Sequence, residues 1–411
     1  MVSNRGRGRG RAGGGAVSEA PVDGRHVLAA RLAAQHLRSP DLPDVPSAVG
    51  HLVAVQGQEF HPALWGLTRR LRPDARPGAA GAAAACDRGE VVRTHVLRPT
   101  WHLLRPDDAR WLLELSAPRV HQANGTMYRQ VGTAGHAAEI DLVVAAVQER
   151  PRTRRELAGL LAAHGRPLEG LALGYVLAHA ELDRLLISGP LDGKQQTFAA
   201  FDDRVPPGYG PLGERFDRDA ALVELLRRYL ASRAYATVKD VAQWSGFTLT
   251  DVRHALDLLG DEVVAVPGAG ALDGATLWRL ADADPRVLAP ESFAGAVAPD
   301  GDPAAPVVDL LQSYDELFVS YGESRGVVVA DGVDLGDRRG SFIHAIAVDG
   351  VVVGRWRWVV GTRDVVLEPQ WRRAPSPAEE AAFAAQADAV RAHWGRGAPA
   401  PGVSAGADPG A

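Results

Sequence analysis

Cysteine and lysine are almost absent from the chain, and each scarcity excludes a class of site. The single cysteine, Cys86, cannot build a disulfide framework or a cysteine zinc site within one chain. A nucleophilic Cys86 stays open as a minor alternative. Lysine occurs only at Lys194 and Lys239, so nearly every cation is an arginine. Together with abundant alanine, glycine and proline, this usage is typical of a GC-rich genome and requires no functional explanation.

Long apolar runs are also missing. No stretch of about 18 uninterrupted apolar residues occurs, and the start MVSNRGRGRGRAGGG is basic without an apolar segment behind it. We therefore expect neither a membrane-spanning helix nor a signal peptide, and we expect a cytoplasmic protein. With 411 residues, 46% of them hydrophobic, the chain can form two or three domains with real cores. The net charge of −5 leaves nucleic-acid binding open, because the distribution of charge matters more than its sum.

Low-complexity sequence is confined to the two ends. Residues 1–22 contain four arginines that alternate with glycine, a composition that cannot pack a core. Residues 397–411 are similarly rich in glycine, alanine and proline. We predict that both ends are disordered.

Helical periodicity dominates the first part of the folded region, residues 23–135. Apolar spacing predicts helices and then two extended segments over residues 24–38, 46–56, 62–72, 77–86, 91–96 and 100–104. Three helices followed by a hairpin are the order of a winged helix.

The same order recurs twice, over residues 136–206 and 207–283. In the second unit Thr153 and Glu156 have capping-box spacing, and two apolar segments flank the turn LDGKQ as a hairpin. In the third unit Thr237 and Thr248 are predicted to cap two helices that precede two short strands.

Strand patterns replace helices in residues 284–396. Strands are predicted over residues 307–311, 326–330, 341–348, 351–360 and 363–369, with VDGV as a hairpin turn. A closing helix starts at Ser376 with a proline at its first position. Within GRWRW, Arg355 and Arg357 alternate with Trp356 and Trp358; the indoles either fill a core or stack on nucleic acid.

Four segments resemble one bacterial family. They are VVRTHVLRPTWHLLRPDDARWLL (residues 91–113), HAELDRLLISGPLDGKQQTFAAFDDRVP (179–206), ATVKDVAQWSGFTLTDVRHAL (236–256) and LLQSYDELFVSY (310–321). Together they resemble the winged-helix DNA-binding family that includes the AlkZ and YcaQ DNA glycosylases, over about residues 24–395. In the last segment Tyr314 and Asp315 match an acidic-aromatic motif, for which we expect a role at a helix N-terminus.

The resemblance implies an α+β fold of three tandem winged-helix units, a C-terminal β-rich, barrel-like lobe and a final helix. It also implies a protein that grips double-stranded DNA and excises bulky or crosslinking N7-alkylated purines. The catalytic signature of AlkZ-like members is Gln-aliphatic-Gln, which the segment AVQGQEF matches at Gln56 and Gln58. Gly57 stands where the family has an aliphatic residue.

Two amides are chemically sufficient only for a particular substrate. Glutamine can act neither as a general acid nor as a carboxylate that stabilises an oxocarbenium-like state. An N7-alkylated guanine already carries a positive charge, so it departs without protonation. Gln56 and Gln58 can then orient the attacking water. Glu59 is an outside candidate for a base; the alternative for both glutamines is solvation of a helix end.

Polar residues beside the first hairpin and on the second are candidate DNA contacts. Thr94, Thr100 and His102 alternate so that they can share one side, which would clamp a phosphate together with neighbouring basic groups. The alternative is that the histidines are ordinary packed residues, and that the second hairpin is an ordinary solvated turn. The predicted contacts are Thr94, His95, Arg98, Thr100, His102, Lys194, Gln195, Gln196 and Arg253.

We expect no metal, no cofactor and a monomer. The sequence contains no HExxH motif and no cysteine cluster. A second function stays open: a non-catalytic winged-helix DNA-binding protein or transcriptional regulator. Against it, the second helix of the second unit carries no arginine, and the third unit offers only Arg253 and His254 for base contacts. The absence of a lysine near the glutamines argues against lyase chemistry.

Overall fold

The computed structural model describes residues 19–209, 217–288, 305–330, 344–360 and 365–395. These residues form helices and four small antiparallel sheets. Most of the two ends predicted to be disordered lies outside the described residues. Residues 19–22 are a correction, because Val22 is buried and its N–H donates to Pro267 O at 2.9 Å.

The first part of the chain contains four helices and one three-stranded sheet. The elements are α1 (Gly24–Ala34), α2 (Val45–Leu52), β1 (Ala54–Gln56), α3 (Phe60–Thr68), α4 (Ala79–Asp87), β2 (Val92–Val96) and β3 (Arg98–Leu104). The predicted order of helices and strands is confirmed. The helix predicted to reach residue 56 was wrong at its end, because Val53 adopts a φ of +68° and directs the chain into β1. The sheet order is β1-β3-β2.

Two helices that the sequence analysis did not assign come next, α5 (Pro106–Val131) and α6 (Ala137–Glu149). Pro106 occupies a first-turn position of α5 and two aspartates follow it, which is a favourable helix start. The left-handed Gly132 ends the helix.

The second hairpin is formed as predicted. The elements of this region are β4 (Arg152–Thr153), α7 (Arg154–Ala163), α8 (Gly170–Leu182), β5 (Leu186–Ser188), β6 (Thr197–Ala200) and α9 (Phe201–Arg204). The capping box is confirmed: Glu156 N donates to the Thr153 hydroxyl at 3.2 Å, and Thr153 N donates to the Glu156 carboxylate at 2.7 Å. The strands pair in the order β4-β6-β5.

The third region begins with three helices. Its elements are α10 (Arg218–Arg233), α11 (Val238–Ser245), α12 (Leu249–Leu259), β7 (Val263–Pro267), β8 (Thr276–Leu280) and α13 (Pro285–Leu288). Thr237 and Thr248 are confirmed as helix caps, each within a complete capping box that Asp240 and Asp251 close.

Strands dominate the C-terminal region. Its elements are β9 (Val308–Leu311), α14 (Glu316–Val319), β10 (Ala345–Val348), β11 (Val351–Val360), β12 (Val365–Trp371) and α15 (Pro377–Trp394). The VDGV turn is confirmed, since Asp349 and Gly350 take φ values of 50° and 86° between paired strands. The cap at Ser376 is confirmed as well. The strand predicted over 326–330 was wrong in type: Glu323–Val328 is a 3-10 helix.

The C-terminal sheet is open in the part of the chain that the structure describes. Its strand order is β12-β11-β10-β9, so these strands do not close into the expected barrel. Trp356 is buried in the core between this sheet and α15, and Trp358 packs against that core. Arg355 and Arg357 are exposed and donate to Gln370 and Glu368. The interpretation of the tryptophans as core residues is confirmed.

Helix α1 joins distant parts of the molecule. Leu28 and Leu32 pack with the C-terminal lobe, whereas Val27 and Ala30 pack with β7 and β8. The largest apolar core combines β1–β3 with residues of α5, α10, α11 and α12. None of the described helices has the length and apolar character that a bilayer crossing needs.

Candidate active site

The Gln-Gly-Gln segment starts on the edge strand β1. Gln56 lies opposite His102 on β3, and His102 lies opposite Thr94 on β2. Directly opposed residues of antiparallel strands share a face, so these three side chains form a row across the sheet. The predicted common side is confirmed for Thr94 and His102. Thr100 lies between Arg98 and Trp101, where the pairing of β2 with β3 is irregular, so strand alternation does not fix its side.

Gln56 is 5% exposed and is held by both its backbone and its side chain. Its N–H donates to Glu316 Oε1 at 3.0 Å, and its Oε1 accepts from Arg98 Nη2 at 2.9 Å. Because arginine can only donate, the amide oxygen faces Arg98 and the amide NH2 is directed elsewhere as a donor. Solvation of a helix end does not describe Gln56.

Glu316 anchors the end of β1 from the C-terminal lobe. The carboxylate is 1% exposed. Its Oε2 accepts from Arg233 Nη2 at 2.9 Å, from Trp244 Nε1 at 3.0 Å and from Ser320 Oγ at 2.6 Å. A carboxylate that accepts this many hydrogen bonds fixes the backbone of Gln56 relative to three other segments of the chain.

The backbone on either side of Gln56 is distinctive. Val53, a β-branched residue, has a φ of +68°, which is a strained conformation of the kind that clusters at functional sites. Gly57 is held by two hydrogen bonds: its N–H donates to Trp101 O at 2.8 Å and its carbonyl accepts from Arg93 Nε at 2.9 Å. A Cβ at Gly57 would lie 3.2 Å from Leu103 Cγ. Leu103 therefore occupies the space beside this turn.

Gln58 is exposed, and Glu59 beside it is half-buried in a polar pocket. Glu59 Oε2 accepts from Ser313 Oγ at 3.0 Å and lies 3.7 Å from His344 Nε2. Burial raises the pKa of Glu59, although the Ser313 hydrogen bond opposes the shift. Burial lowers the pKa of His344 to about 4, so this imidazole is neutral at pH 7. Gln58 and Glu59 lie in a turn rather than within a helix, since Glu59 is the N-cap of α3.

The predicted phosphate clamp requires a correction. Thr94 and His102 are both fully buried, and Arg98 turns inward to Gln56. These groups therefore line the interior beside Gln56 and do not form a surface for phosphate. Burial, with a smaller contribution from the charge of Arg98, holds the pKa of His102 well below its usual value.

Two hydroxyls of this buried polar group have no hydrogen-bond partner among the described residues, Thr94 Oγ1 and Thr100 Oγ1. Arg98 Nε is in the same situation. Unsatisfied buried polar atoms are uncommon and are a signature of binding sites or of bound water.

His95 lies on the opposite face of the sheet. Its Nδ1 is 2.5 Å from Glu181 Oε2, and its ring packs 4.3 Å from that of Trp101. The histidine is 7% exposed. The alternative that His95 is a packed structural residue describes this environment better than a DNA contact does.

The second hairpin carries three of the predicted DNA contacts. Lys194 and Gln195 are exposed at its tip, and Gln196 is half-buried. Burial lowers the pKa of His61, and the charge of Lys194 lowers it further. His61 follows Glu59 by two residues in the chain. Arg253, the remaining predicted contact, is exposed on α12.

Sequence reasoning missed Ser313, His344 and Glu316 and gave Glu59 a minor place. Glu59 could have been found from its position beside Gln58. The other three come from the C-terminal lobe and lie far along the chain from the motif. Ser313, for example, is 254 residues from Glu59. Asp315 has its expected role at a helix N-terminus, since its carboxylate accepts from Leu317 N at 2.9 Å.

A group of side chains that could hold a metal ion lies elsewhere in the sequence. Within the described ranges, this group consists of His121, His179 and Asp183. Their ligand atoms lie within 4.8 Å of one another. Helix α8 carries His179 at four residues before Asp183, a spacing that puts both side chains on one face.

Comparisons with known proteins show which family and which solved structure the chain resembles. The sequence model for the family described as DNA glycosylase AlkZ-like matches residues 49–393. An interstrand DNA cross-link repair glycosylase of Streptomyces sahachiroi is 27% identical over 387 residues, which cover 89% of this chain and 96% of that protein. The solved structure of Streptomyces sahachiroi DNA glycosylase AlkZ superposes with a TM-score of 0.69 at 22% identity, covering 90% of this chain and 98% of that chain.

Proposed function

Because the chain belongs to the AlkZ-like DNA glycosylase family, we propose that it excises bulky N7-alkylated purines or unhooks interstrand crosslinks by attack of water on the N-glycosidic bond. The similarity to an interstrand DNA cross-link repair glycosylase of Streptomyces sahachiroi supports this substrate class. The enzyme is monofunctional, needs no cofactor and acts on double-stranded DNA as a monomer. It acts in the cytoplasm, in association with the nucleoid.

The observation that carries the proposal is the pairing of an exposed amide with a half-buried carboxylate in one turn. Gln58 can hold a water from the solvent side. Glu59, whose pKa is raised by burial, can accept a proton from that water. Gln56 has a different role, because Arg98 and Glu316 already hold it. Its NH2 is a donor for the sugar or the flipped nucleotide.

This division suits a leaving group that is already charged. A cationic N7-alkylpurine departs without a general acid, so the enzyme needs only water placement, a base and stabilisation of the oxocarbenium-like sugar. The neutral His344 orients the Glu59 carboxylate, together with Ser313. The remaining polar groups, Thr94 and Thr100, have hydroxyls whose hydrogen bonds an ordered water can complete.

We propose that the small sheets are the wings of three winged-helix units, at residues 23–135, 136–206 and 207–283, followed by a lobe at 284–396. Support comes from the repeated order of helices followed by a short antiparallel pair. In this architecture Lys194, Gln195 and Gln196 probe the backbone or minor groove beside the lesion, and Arg253 contacts a phosphate.

Base release from defined duplexes tests the proposed function. Purified protein is incubated with DNA that contains N7-methylguanine or a nitrogen-mustard crosslink, and abasic sites and unhooked strands are quantified. We expect release by the wild type and a loss of about 100-fold or more in Gln58→Ala. Gln148→Ala, which removes an exposed glutamine of α6, is the matched control and keeps full activity. Equal product from wild type and Gln58→Ala would rule the assignment out.

Footprinting on undamaged DNA separates the enzyme from a transcriptional regulator. Uniform protection that weakens steeply with salt is expected of the repair enzyme. A discrete protected operator would favour the regulator instead. The apolar face of α8, where Leu173 and Leu177 are buried, is poorly suited to reading bases.

A further inference from the structure

We propose that His121, His179 and Asp183 bind a divalent transition-metal ion, with Zn²⁺ as the best-matched ion, and that the ion ties helix α5 to helix α8. The ligand atoms of these three side chains lie within 4.8 Å of one another. The inference does not depend on the glycosylase activity, because none of the three residues belongs to the candidate active site.

The fold brings the three groups together from two helices. His121 comes from the middle of α5, His179 from the last turn of α8, and Asp183 from the C-cap of α8. His121 Nε2 lies 3.1 Å from Asp183 Oδ1, and His179 Nδ1 lies 3.0 Å from Asp183 Oδ2. The two imidazole rings are 4.6 Å apart between centroids. Each oxygen of the carboxylate therefore faces a different histidine.

These spacings suit a tetrahedral ion. Two ligand atoms that bind an ion at about 2.0–2.1 Å in tetrahedral geometry are separated by about 3.3 Å. The observed separations of 3.1 Å and 3.0 Å end on different oxygens of Asp183, so the carboxylate must rotate for one oxygen to lie at this distance from both nitrogens. Imidazole nitrogen with one carboxylate is a donor set that suits zinc and its neighbours, whereas calcium and magnesium prefer oxygen ligands.

The surroundings of His121 resemble the outer shell of a metal site. His121 Nδ1 lies 3.0 Å from the Tyr128 hydroxyl, which leaves Nε2 for Asp183 or an ion. Ligating histidines usually bond through their second nitrogen to such a partner, which fixes the ring.

Space and access for the ion are present. A cavity of about 380 Å³ is lined by residues that include His121 and Asp183. The side chains of His121, His179 and Asp183 are 25%, 29% and 45% exposed. The open side lets water complete the coordination, and it gives the ion an entry path.

Binding would affect more than the local site. Helix α8 leads through Asp183 into β5, and the β5–β6 hairpin carries Lys194 near His61. An ion that fixes α8 on α5 would steady the hairpin that follows α8.

A cobalt titration tests the proposal directly. Protein without a polyhistidine tag is stripped of metal with a chelator and titrated with Co²⁺, and visible absorption and bound metal per chain are measured. We expect one bound ion and a tetrahedral cobalt spectrum, which Zn²⁺ abolishes. Zn²⁺ should also raise the unfolding temperature of the wild type. No bound ion at micromolar metal and pH 8 would overturn the proposal.

Variants show whether the predicted residues hold the ion. His179→Asn should weaken binding by more than about tenfold, and Tyr128→Phe by about 10–100-fold through loss of the outer partner. His254→Asn is the matched control, because His254 pairs with Asp219 without a second histidine in the cluster. Circular dichroism is used to check that each variant folds. If His179→Asn does not fold, Asp183→Asn is used in its place. Unchanged binding in the folded ligand variants would refute the assignment.

Discussion

At the scale of single residues, the two glutamines of one motif have different environments. Gln56 is buried and hydrogen-bonded through its N–H and its Oε1, whereas Gln58 is exposed to solvent. A buried, fixed amide is suited to positioning, and an exposed amide is suited to exchange with water and substrate. Gly57 does not loosen the motif, because both of its backbone polar groups are hydrogen-bonded.

Glu59→Gln is predicted to separate activity from stability. If the carboxylate is the base, the variant loses about 10²-fold in the rate of base release. The wild-type rate should fall as pH drops through the raised pKa of Glu59, whereas the slow variant should lose this dependence. Single-turnover release from N7-methylguanine DNA at several pH values measures both effects.

Although Glu59→Gln should lose activity, its free energy of unfolding should equal or exceed that of the wild type. A carboxyl group whose pKa is raised in the folded state binds more protons there than in the unfolded state, so its ionised form destabilises the fold at neutral pH. This cost decreases as pH falls through the folded pKa and is gone below the ordinary pKa of glutamate. The variant should therefore unfold at the same or higher urea concentration than the wild type at pH 7. A variant that kept both rate and pH profile would exclude Glu59 as the base.

At the scale of elements, some helix boundaries are determined by nearby residues and others by tertiary packing. The caps at Thr153, Thr237, Thr248 and Ser376 were predictable because a capping box is formed by residues three apart. The end of α2 was not, because only the sheet pairing of β1 with β3 explains why the helix stops at Leu52. Periodicity also could not show whether the C-terminal strands close into a barrel, because closure depends on strands far apart in sequence.

The β5–β6 hairpin gives a prediction about DNA binding. Lys194→Ala should weaken binding to duplex DNA and reduce the slope of log affinity against log salt by about 0.9 if one phosphate contact is lost. Removal of this charge should also raise the pKa of His61, which Lys194 now lowers. Fluorescence anisotropy over a salt series and an NMR titration of His61 measure the two effects.

Lys239→Ala is the matched control, since Lys239 is the other lysine and pairs with Glu323 on the surface. It should leave both the salt slope and the His61 titration unchanged. Identical salt slopes for Lys194→Ala and the wild type would remove Lys194 from the DNA contacts.

At the scale of the whole molecule, buried ion pairs connect the C-terminal lobe to the rest of the chain. Asp309, Asp315 and Glu316 come from the lobe. They meet Arg69 and Arg70, directly after α3, and Arg233 of α10. Such pairs contribute modestly to stability as intact units, but the loss of one partner leaves an uncompensated buried charge. The lobe and the glutamine motif are therefore coupled through Glu316.

Glu316→Gln should destabilise the protein by about 3–5 kcal/mol, because Arg233 would remain buried without its counter-charge. The amide can still accept from Gln56 N, so base release by the folded fraction should fall less than in Gln58→Ala. Urea unfolding and single-turnover release measure the two quantities. Glu368→Gln, which breaks the exposed pair with Arg357, is the control and should change stability by less than about 1 kcal/mol. Equal stability of both variants would contradict the proposed coupling.

The sequence by itself determined the family, most helices and strands, and the place of the Gln-Gly-Gln motif, because apolar periodicity, capping residues and short motifs are local properties. Tertiary structure alone decided which groups surround that motif. Ser313, His344 and Glu316 reach it from the C-terminal lobe, and His121 meets His179 and Asp183 only after α5 packs on α8. Burial also decided chemistry that spacing cannot show, since it raises the pKa of Glu59 and keeps Thr94 and His102 in the interior. Desolvation and long-range contacts exist only once the chain is folded.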